Sequence, residues 1–397
     1  MPQVNPKILV WARETAHLSL EEAVKKLDIR EARGRSAVER LADLEVGETE
    51  PTRPMLVKMA KQYRRPLLTF YMSSPPKKGN RGEDFRTLPQ DYSVADDALL
   101  DVLVRDVVAR QSMVRAVLED EDEAAPLEFI GSAKVYDGVE AVLTSIRETL
   151  QVDLAKFYRE STPTRAFGLL RDLAEEAGVF VLLIGNLGSY HTAIELEIFR
   201  GFSLADQVAP FVIINDQDSR SAWSFTLLHE LTHLWLGQTG VSGENADRSI
   251  ERFCNDVAGE FLLPDEEIEL LNVGKRTPFD TAQARISEFA MNRNLSSSMV
   301  AYKLFRRDTI EIETWRRLIA VFRDRWRRGR AVQRERARER DGGPTYYTMR
   351  RHRVGKALVQ FVSRMLDGGA LTTTKAGKVL GVRAKNVGPL IERTRSA

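Results

Sequence analysis

The chain has 397 residues, 29% of them charged and 43% hydrophobic, and its formal net charge is +2. This length predicts roughly two to four domains, whereas the small net charge excludes no class of partner. The first residues lack the apolar stretch of a signal peptide, and no apolar run is long enough to span a membrane. The single cysteine, Cys254, excludes an internal disulfide framework, so we expect a soluble protein of the reducing cytoplasm.

Residues 1–75 are predicted to form a cluster of short helices. One of them covers 18–27, where Ser19 is placed as the N-cap and Glu22 completes a capping box. Together with 40–52, this segment resembles the Xre-type helix-turn-helix of phage repressors. The resemblance implies a helix that enters the major groove of DNA.

The second of these helices is acidic. It carries Glu39, Asp43 and Glu45 beside Arg40, and acids that face phosphates weaken DNA binding. A docking or dimerisation module is therefore the alternative to a DNA-binding domain, and the sequence leaves both open.

A connecting region of helices is predicted over residues 76–160. Apolar periodicity is clearest at 95–118 and 139–150, with the acidic run 119–123 between them as a solvated turn. Nothing in this region indicates catalytic chemistry. We expect it to pack the amino-terminal domain against the domain that follows.

Residues 161–275 combine helix and strand patterns. A helix is predicted at 165–178. The longest apolar run of the chain, 179–184, follows it and is predicted to be a strand.

A later helix in this region carries His229 and His233 with Glu230 beside the first of them. Histidine is scarce in the chain, which has five, and residues four apart share one face of a helix, so both rings can bind one zinc ion. Glu230 is then placed to take a proton from a metal-bound water. Two core histidines with backbone partners are the structural alternative.

A two-histidine site needs a third protein ligand and an open position for water. The apolar spacing at 250–264 predicts a helix, on which Glu251 and Asn255 share one face. Glu251 can therefore complete the ligand set, and Asn255 can hydrogen-bond a ligand. Glu260 competes for the third position, but it lies on a different turn beside apolar Phe261, so Glu251 is favoured. Cys254 has the character of a small buried hydrophobe.

The segments 225–237 and 251–264 resemble the ImmA/IrrE family of zinc metallopeptidases, which carries a HExxH helix followed by E-x-x-x-N and a Leu/Met-Pro end. The segments 178–185, 198–204 and 210–216 before them resemble the family's strands, so the resemblance covers about residues 160–275. One departure is Phe253–Cys254, where relatives usually carry Glu-Ala; it changes packing more than chemistry.

The resemblance implies a gluzincin-like site. His229, His233 and Glu251 would bind zinc, with manganese as the other possible metal, and Glu230 would be the general base. It also implies a specific protein substrate, usually a transcriptional repressor, that is cleaved on a signal such as DNA damage or phage infection.

The sequence also offers groups that would act on the substrate. Gluzincin-like sites usually add a tyrosine or histidine that stabilises the oxyanion, and the candidates are Tyr190, His191 and Tyr302. The strand at 210–216 is predicted to pair with an extended substrate by strand addition. Asn215, near its end, either contacts substrate or caps the following turn.

Residues 276–343 are predicted to be helical. Helices at 282–291 and 297–305, the second capped by Ser296, have helix-turn-helix spacing, although any small helical bundle would give it. A long helix at 311–340 follows, and its second half has many arginines and no apolar face. That half is either a solvated helix or an arm that binds nucleic acid or a partner.

Residues 344–397 contain an amphipathic helix at about 354–366 and then a helix, a glycine turn and a helix over 372–387. The segment 372–394 resembles the small helix-turn-helix that closes many ImmA/IrrE proteins fused to Xre domains. Its positive face favours DNA contact and consists of Lys375, Lys378, Arg383, Lys385, Arg393 and Arg395.

The sequence therefore predicts a mainly α, multidomain protein with a small α+β metallopeptidase core between helical, helix-turn-helix-like domains. The expected domains are 1–75, 76–160, 161–275, 276–343 and 344–397. The expected function is zinc-dependent cleavage of a specific protein, with possible DNA binding through the first or the last domain and no membrane partner. The alternatives are a DNA-binding transcriptional regulator and a toxin–antitoxin component, in which the zinc domain is a sensor.

Overall fold

The computed structural model describes residues 4–16, 18–32, 34–65, 67–72, 74–75, 94–189, 192–196, 198–239, 248–339 and 345–395. Across these residues the chain is mainly helical with a small three-stranded sheet, which confirms the predicted fold class. The described residues divide into two compact units, one that ends at Arg105 and one that begins at Asp106. Nowhere in the described ranges does a helix combine the length and the apolarity that crossing a lipid bilayer requires.

The first unit is built from short helices with explicit caps. They are α1 (Pro6–Glu14), α2 (Leu20–Leu27), α3 (Ala37–Val46), α4 (Arg53–Gln62) and a 3₁₀ helix at Leu67–Tyr71. The predicted capping box of α2 is confirmed, because the Glu22 N–H donates to Ser19 Oγ and the Ser19 N–H donates to the Glu22 carboxylate. A second capping box, from Ser36 and Glu39, begins α3.

One of the acids of α3 that were expected to weaken DNA binding, Glu45, does not face the solvent. Glu45 is buried, and both of its carboxylate oxygens accept from the Arg13 guanidinium, at 2.8 and 3.0 Å. The Asp43 carboxylate accepts one hydrogen bond from the exposed Arg35 side chain. Two of the three acids of α3 are therefore paired with arginines of the same unit.

The second unit begins within α5 (Val94–Asp120) and is built around the sheet. Three further helices precede the sheet: α6 (Val139–Leu150), α7 (Leu154–Arg159) and α8 (Pro163–Glu176). The strands are β1 (Phe180–Leu183), β2 (Gly201–Leu204) and β3 (Phe211–Ile214). After them come α9 (Trp223–Trp235), α10 (Arg248–Leu262), α11 (Asp265–Glu269), α12 (Phe279–Met291), α13 (Ser297–Arg306), α14 (Ile312–Glu339), α15 (Tyr346–Val354), α16 (Lys356–Asp367), α17 (Thr373–Val379) and α18 (Val387–Arg395).

The sheet has the order β1-β3-β2, with β1 parallel and β2 antiparallel to β3. β3 therefore lies in the centre, and both of its edges are hydrogen-bonded to neighbouring strands. The prediction that the segment 210–216 pairs with an extended substrate is wrong for this reason, since strand addition needs an unpaired edge.

A buried ion pair on α8 joins the carboxyl-terminal helices to the sheet. Arg171 Nε donates to Glu175 Oε1 at 3.0 Å, and Arg171 also donates to the carbonyl oxygens of Val181 in β1 and of His352 in α15. The second Glu175 oxygen accepts from the Ala357 N–H at 2.8 Å. One salt bridge thus fixes the turn between α15 and α16 against the outer edge of β1.

Candidate metal centre

The helix that carries the two histidines, α9, lies in the core. Every residue from Trp223 to Trp235 except Phe225 is buried. This helix is therefore surrounded by protein on all sides and is not an amphipathic surface helix. At its carboxyl-terminal end, Trp235 stacks on Phe129 with ring centroids 4.3 Å apart and donates to Ser145 Oγ at 2.9 Å. Both contacts fix the turn on which His233 lies.

A glycine ends α9 and turns the chain back over its last turn. Gly237 has φ +67°, and its N–H donates to Leu234 O at 2.9 Å while the Gln238 N–H donates to His233 O at 2.9 Å. This pair of bonds is the Schellman motif, which favours glycine at the left-handed position. An added Cβ at Gly237 would also lie 2.9 Å from the Gly131 Cα, so a side chain is excluded there on two grounds.

Three side chains from α9 and α10 direct metal-binding atoms to one point. The two Nε2 atoms of His229 and His233 are 3.2 Å apart, and the Glu251 carboxylate lies 3.5 Å from the first and 3.2 Å from the second. Ligand atoms bound tetrahedrally at about 2.0–2.1 Å from zinc are separated by about 3.3 Å. The spacing therefore fits one zinc ion held by three protein ligands.

The other ring nitrogens of both histidines face hydrogen-bond acceptors. His229 Nδ1 lies 3.0 Å from Asn255 Oδ1, and His233 Nδ1 lies 3.3 Å from Gln238 Oε1 and 3.7 Å from Cys254 Sγ. An amide oxygen selects the tautomer with the proton on Nδ1, which leaves the Nε2 lone pair for a metal. Burial raises the pKa of the Cys254 thiol, so it is protonated in this position.

Glu230 follows the first histidine and approaches strand β2. Its side chain is buried, and a Cβ added at Gly201 would lie 2.8 Å from Glu230 Oε1 and 2.6 Å from a methyl carbon of Thr226. Glycine at the first position of β2 thus leaves room for the carboxylate. The site combines two imidazoles and a carboxylate as possible ligands with a second carboxylate as a possible base.

This geometry agrees with a match to a known family. Residues 190–305 match the IrrE N-terminal-like domain, peptidase family M78. The match supports a metallopeptidase-type function for this part of the chain and includes α9 to α12 and nearly all of α13. No curated protein and no solved structure matches the chain.

Two residues proposed for the metal centre have other partners. Glu260 receives a hydrogen bond from Lys303 and another from the Asp265 N–H. This competing acid therefore joins α10 to α13. Asn215 is fully buried, donates to Ile194 O and Phe199 O and accepts from the Gln217 N–H at 3.0 Å. The structure therefore corrects the substrate-contact hypothesis for Asn215 and favours the turn-capping alternative.

The oxyanion candidates receive no geometric support. Tyr190 and His191 lie outside the described residues. The Tyr302 hydroxyl donates to Asp256 at 3.3 Å, and Asp256 also pairs with Arg306. Burial raises the pKa of Tyr302 to about 12, so the phenol is a proton donor at neutral pH, but the contact it makes is with this ion pair.

Sequence reasoning missed two residues that shape the candidate metal centre. Gln238 lies beside His233 only because Gly237 reverses the chain; glycine after the helix was a usable signal for the reversal, but not for the direction of the amide. Gly201 carried no local signal, because the close approach of Glu230 to it depends on how α9 packs on β2.

Proposed function

We propose that this protein is a zinc-dependent metalloendopeptidase that cleaves a specific protein, a transcriptional repressor, in a stress, DNA-damage or phage-related response. The observation that carries the catalytic part is the convergence of ligand atoms from His229, His233 and Glu251 next to Glu230. The match to the IrrE N-terminal-like domain supports it. The repressor as substrate rests on the resemblance to the ImmA/IrrE family.

The donor set favours zinc over the alkaline-earth ions. Two imidazole nitrogens and one carboxylate form a ligand set that binds zinc in hydrolases, whereas calcium and magnesium prefer oxygen ligands throughout. Manganese is the second candidate, because imidazole and carboxylate also serve it. Three protein ligands leave a position for a water, as a catalytic site requires.

The side chains then have separate tasks. A zinc ion bound here would lower the pKa of a water ligand and polarise the scissile carbonyl. Glu230 accepts the proton of the attacking water as the C–O bond forms, and it returns that proton to the amine nitrogen as the peptide C–N bond breaks. Asn255 and Gln238 hold the two imidazoles with Nε2 toward the shared point.

A Glu230→Gln variant tests this mechanism. We expect the variant to keep one zinc per chain, because Glu230 is not a ligand, and to cleave about 10²–10⁴-fold more slowly, because the amide cannot accept the proton. The measurement is zinc content by atomic spectroscopy, together with the rate at which the zinc-loaded full chain cleaves a purified candidate repressor, followed by mass spectrometry.

Glu266→Gln is the matched control, since it makes the same chemical change on the exposed helix α11. It should leave both zinc content and cleavage unchanged. Undiminished cleavage by Glu230→Gln would remove the general base from the proposal. Wild-type protein that stays free of metal after zinc is supplied would remove the metal centre itself. If the wild type binds zinc but leaves the repressor intact, only the substrate is wrong.

A further inference from the structure

The last helices of the second unit form a compact helix-turn-helix. α17 ends in a second Schellman motif, in which the Gly381 N–H donates to Lys378 O at 3.1 Å and the Val382 N–H donates to Gly377 O at 2.8 Å. An added Cβ at Gly377 would lie 2.8 Å from Val382 O. Glycine at these two positions thus holds the turn close to α17, and a 3₁₀ helix at Ala384–Asn386 leads into α18.

The inner face of this element is apolar and the outer face is cationic. The buried side chains are Ala376, Val379, Leu380, Val387, Leu390 and Ile391. Four cationic side chains are exposed: Lys375, Lys378, Arg383 and Lys385. In the described part of the chain no carboxylate forms a salt bridge with any of these four, and the sequence 368–391 contains neither aspartate nor glutamate.

The same outer face has no large apolar side chain. In the described residues between 368 and 391, every large hydrophobic group is buried or partly buried. Two small residues are exposed in this element: Ala384 in the 3₁₀ helix that leads into α18, and Gly388 in the first turn of α18. A cationic surface without apolar groups does not suit a lipid core or an apolar protein partner, whereas small residues let a helix approach another surface closely.

We propose that α17, its turn and α18 bind duplex DNA. The four cations would contact phosphates, and the beginning of α18 with Gly388, together with Ala384 just before it, would enter the major groove, which is about 12 Å wide and accommodates one α-helix. The proposed DNA-binding surface is confined to the outer face. DNA binding would therefore leave α16 and the apolar side of α17 packed in the protein.

The proposed surface is firmly attached to the metallopeptidase domain. Arg350 on α15 donates to Leu380 O at 3.0 Å, at the carboxyl end of α17. The same helix α15 is joined to β1 and α8 through Arg171, whose guanidinium donates to His352 O at 2.5 Å. DNA bound at α17 and α18 would therefore hold the metal-centre domain close to the duplex.

The test is titration of a fluorescent duplex of about 30 base pairs with the full chain, from about 50 to about 200 mM NaCl. The test variant is Lys378→Ala/Lys385→Ala. The control is Lys156→Ala/Arg159→Ala, which removes two exposed cations of the same kind from α7. We expect the test variant to bind about tenfold or more weakly at 100 mM salt, with a log–log salt slope smaller by about 2, because each phosphate contact releases about 0.9 counterion. The control should behave as wild type.

Gly388→Glu is a second, independent variant, because Gly388 has no neighbour that a Cβ would meet. A carboxylate there should abolish duplex binding while the chain stays folded by circular dichroism. The proposal is overturned if the wild type does not bind duplex at about 50 mM salt, if it binds only single strands or only protein, or if the lysine variant and its control lose affinity equally.

Discussion

Two buried polar clusters of the second unit differ in what their charges do. In the first, His229, His233 and Glu251 direct ligand atoms to one point at separations of 3.2–3.5 Å. In the second, Arg171 and Glu175 pair with each other at 3.0 Å, and their remaining atoms bond to backbone groups. The helix that carries the two histidines, α9, and the helix that carries the ion pair, α8, both pack on the sheet.

The difference separates a candidate catalytic centre from a structural joint. A buried charge must be compensated, and in the second cluster the chain itself supplies the compensation. Burial lowers the pKa of Arg171 and raises that of Glu175, while the pairing opposes both shifts. In the first cluster, the spacing fits compensation by a metal ion. Burial of polar groups therefore does not by itself indicate a ligand site. The indication is that their atoms converge on one point at the spacing of metal ligands.

Breaking the structural joint should have the largest effect on stability. Arg171→Ala leaves Glu175 buried without its charge partner, which costs about 3–5 kcal/mol of unfolding free energy. Thermal or urea unfolding of the zinc-loaded chain measures it. Arg165→Ala is the control on the same helix, because its pair with Glu160 is exposed and should contribute no more than about 1 kcal/mol. A small, equal effect of both variants would contradict the structural role.

The next effect concerns metal affinity and distinguishes two acids on α10. Glu251→Gln removes a charged ligand, so we expect zinc affinity to fall by about 100-fold or more, since even residues behind the ligands contribute about 10–100-fold. Competition with a chromophoric chelator measures the affinity. Glu260→Gln should keep the wild-type affinity, because Glu260 is bonded to Lys303. The reverse result would make Glu260 the third ligand.

The smallest effect on zinc affinity is expected at Asn255, the residue that contacts the non-ligand nitrogen of His229. Asn255→Ala removes the oxygen that lies 3.0 Å from His229 Nδ1, and zinc affinity should fall by about 10–100-fold. Asn292→Ala, at the exposed end of α12, is the control for loss of an asparagine side chain and should leave affinity unchanged. An Asn255→Ala chain with wild-type affinity would show that another group orients the ring.

Local patterns predicted most of the helices of this protein. The apolar periodicity at 139–150 coincides with α6, and Ser296 caps α13 as its sequence position predicts. Caps and periodicity depend on residues within one or two turns, so they can be read from the sequence alone. The family resemblance, rather than local pattern, gave three strands, and it did not give their order, because pairing depends on contacts between distant segments.

The sequence by itself determined the chemistry of the candidate site: two histidines four residues apart on one helix, an acid beside them, and an acid and an amide four apart on the next helix. The sequence also favoured Glu251 over Glu260 as the third ligand, and the structure brings Glu251 to the histidines. Tertiary structure alone decided that Gln238 faces His233 and that Asn215 supports a turn. Helical spacing is a local property of the backbone, whereas the rotation of one helix against another is set by packing of the whole core.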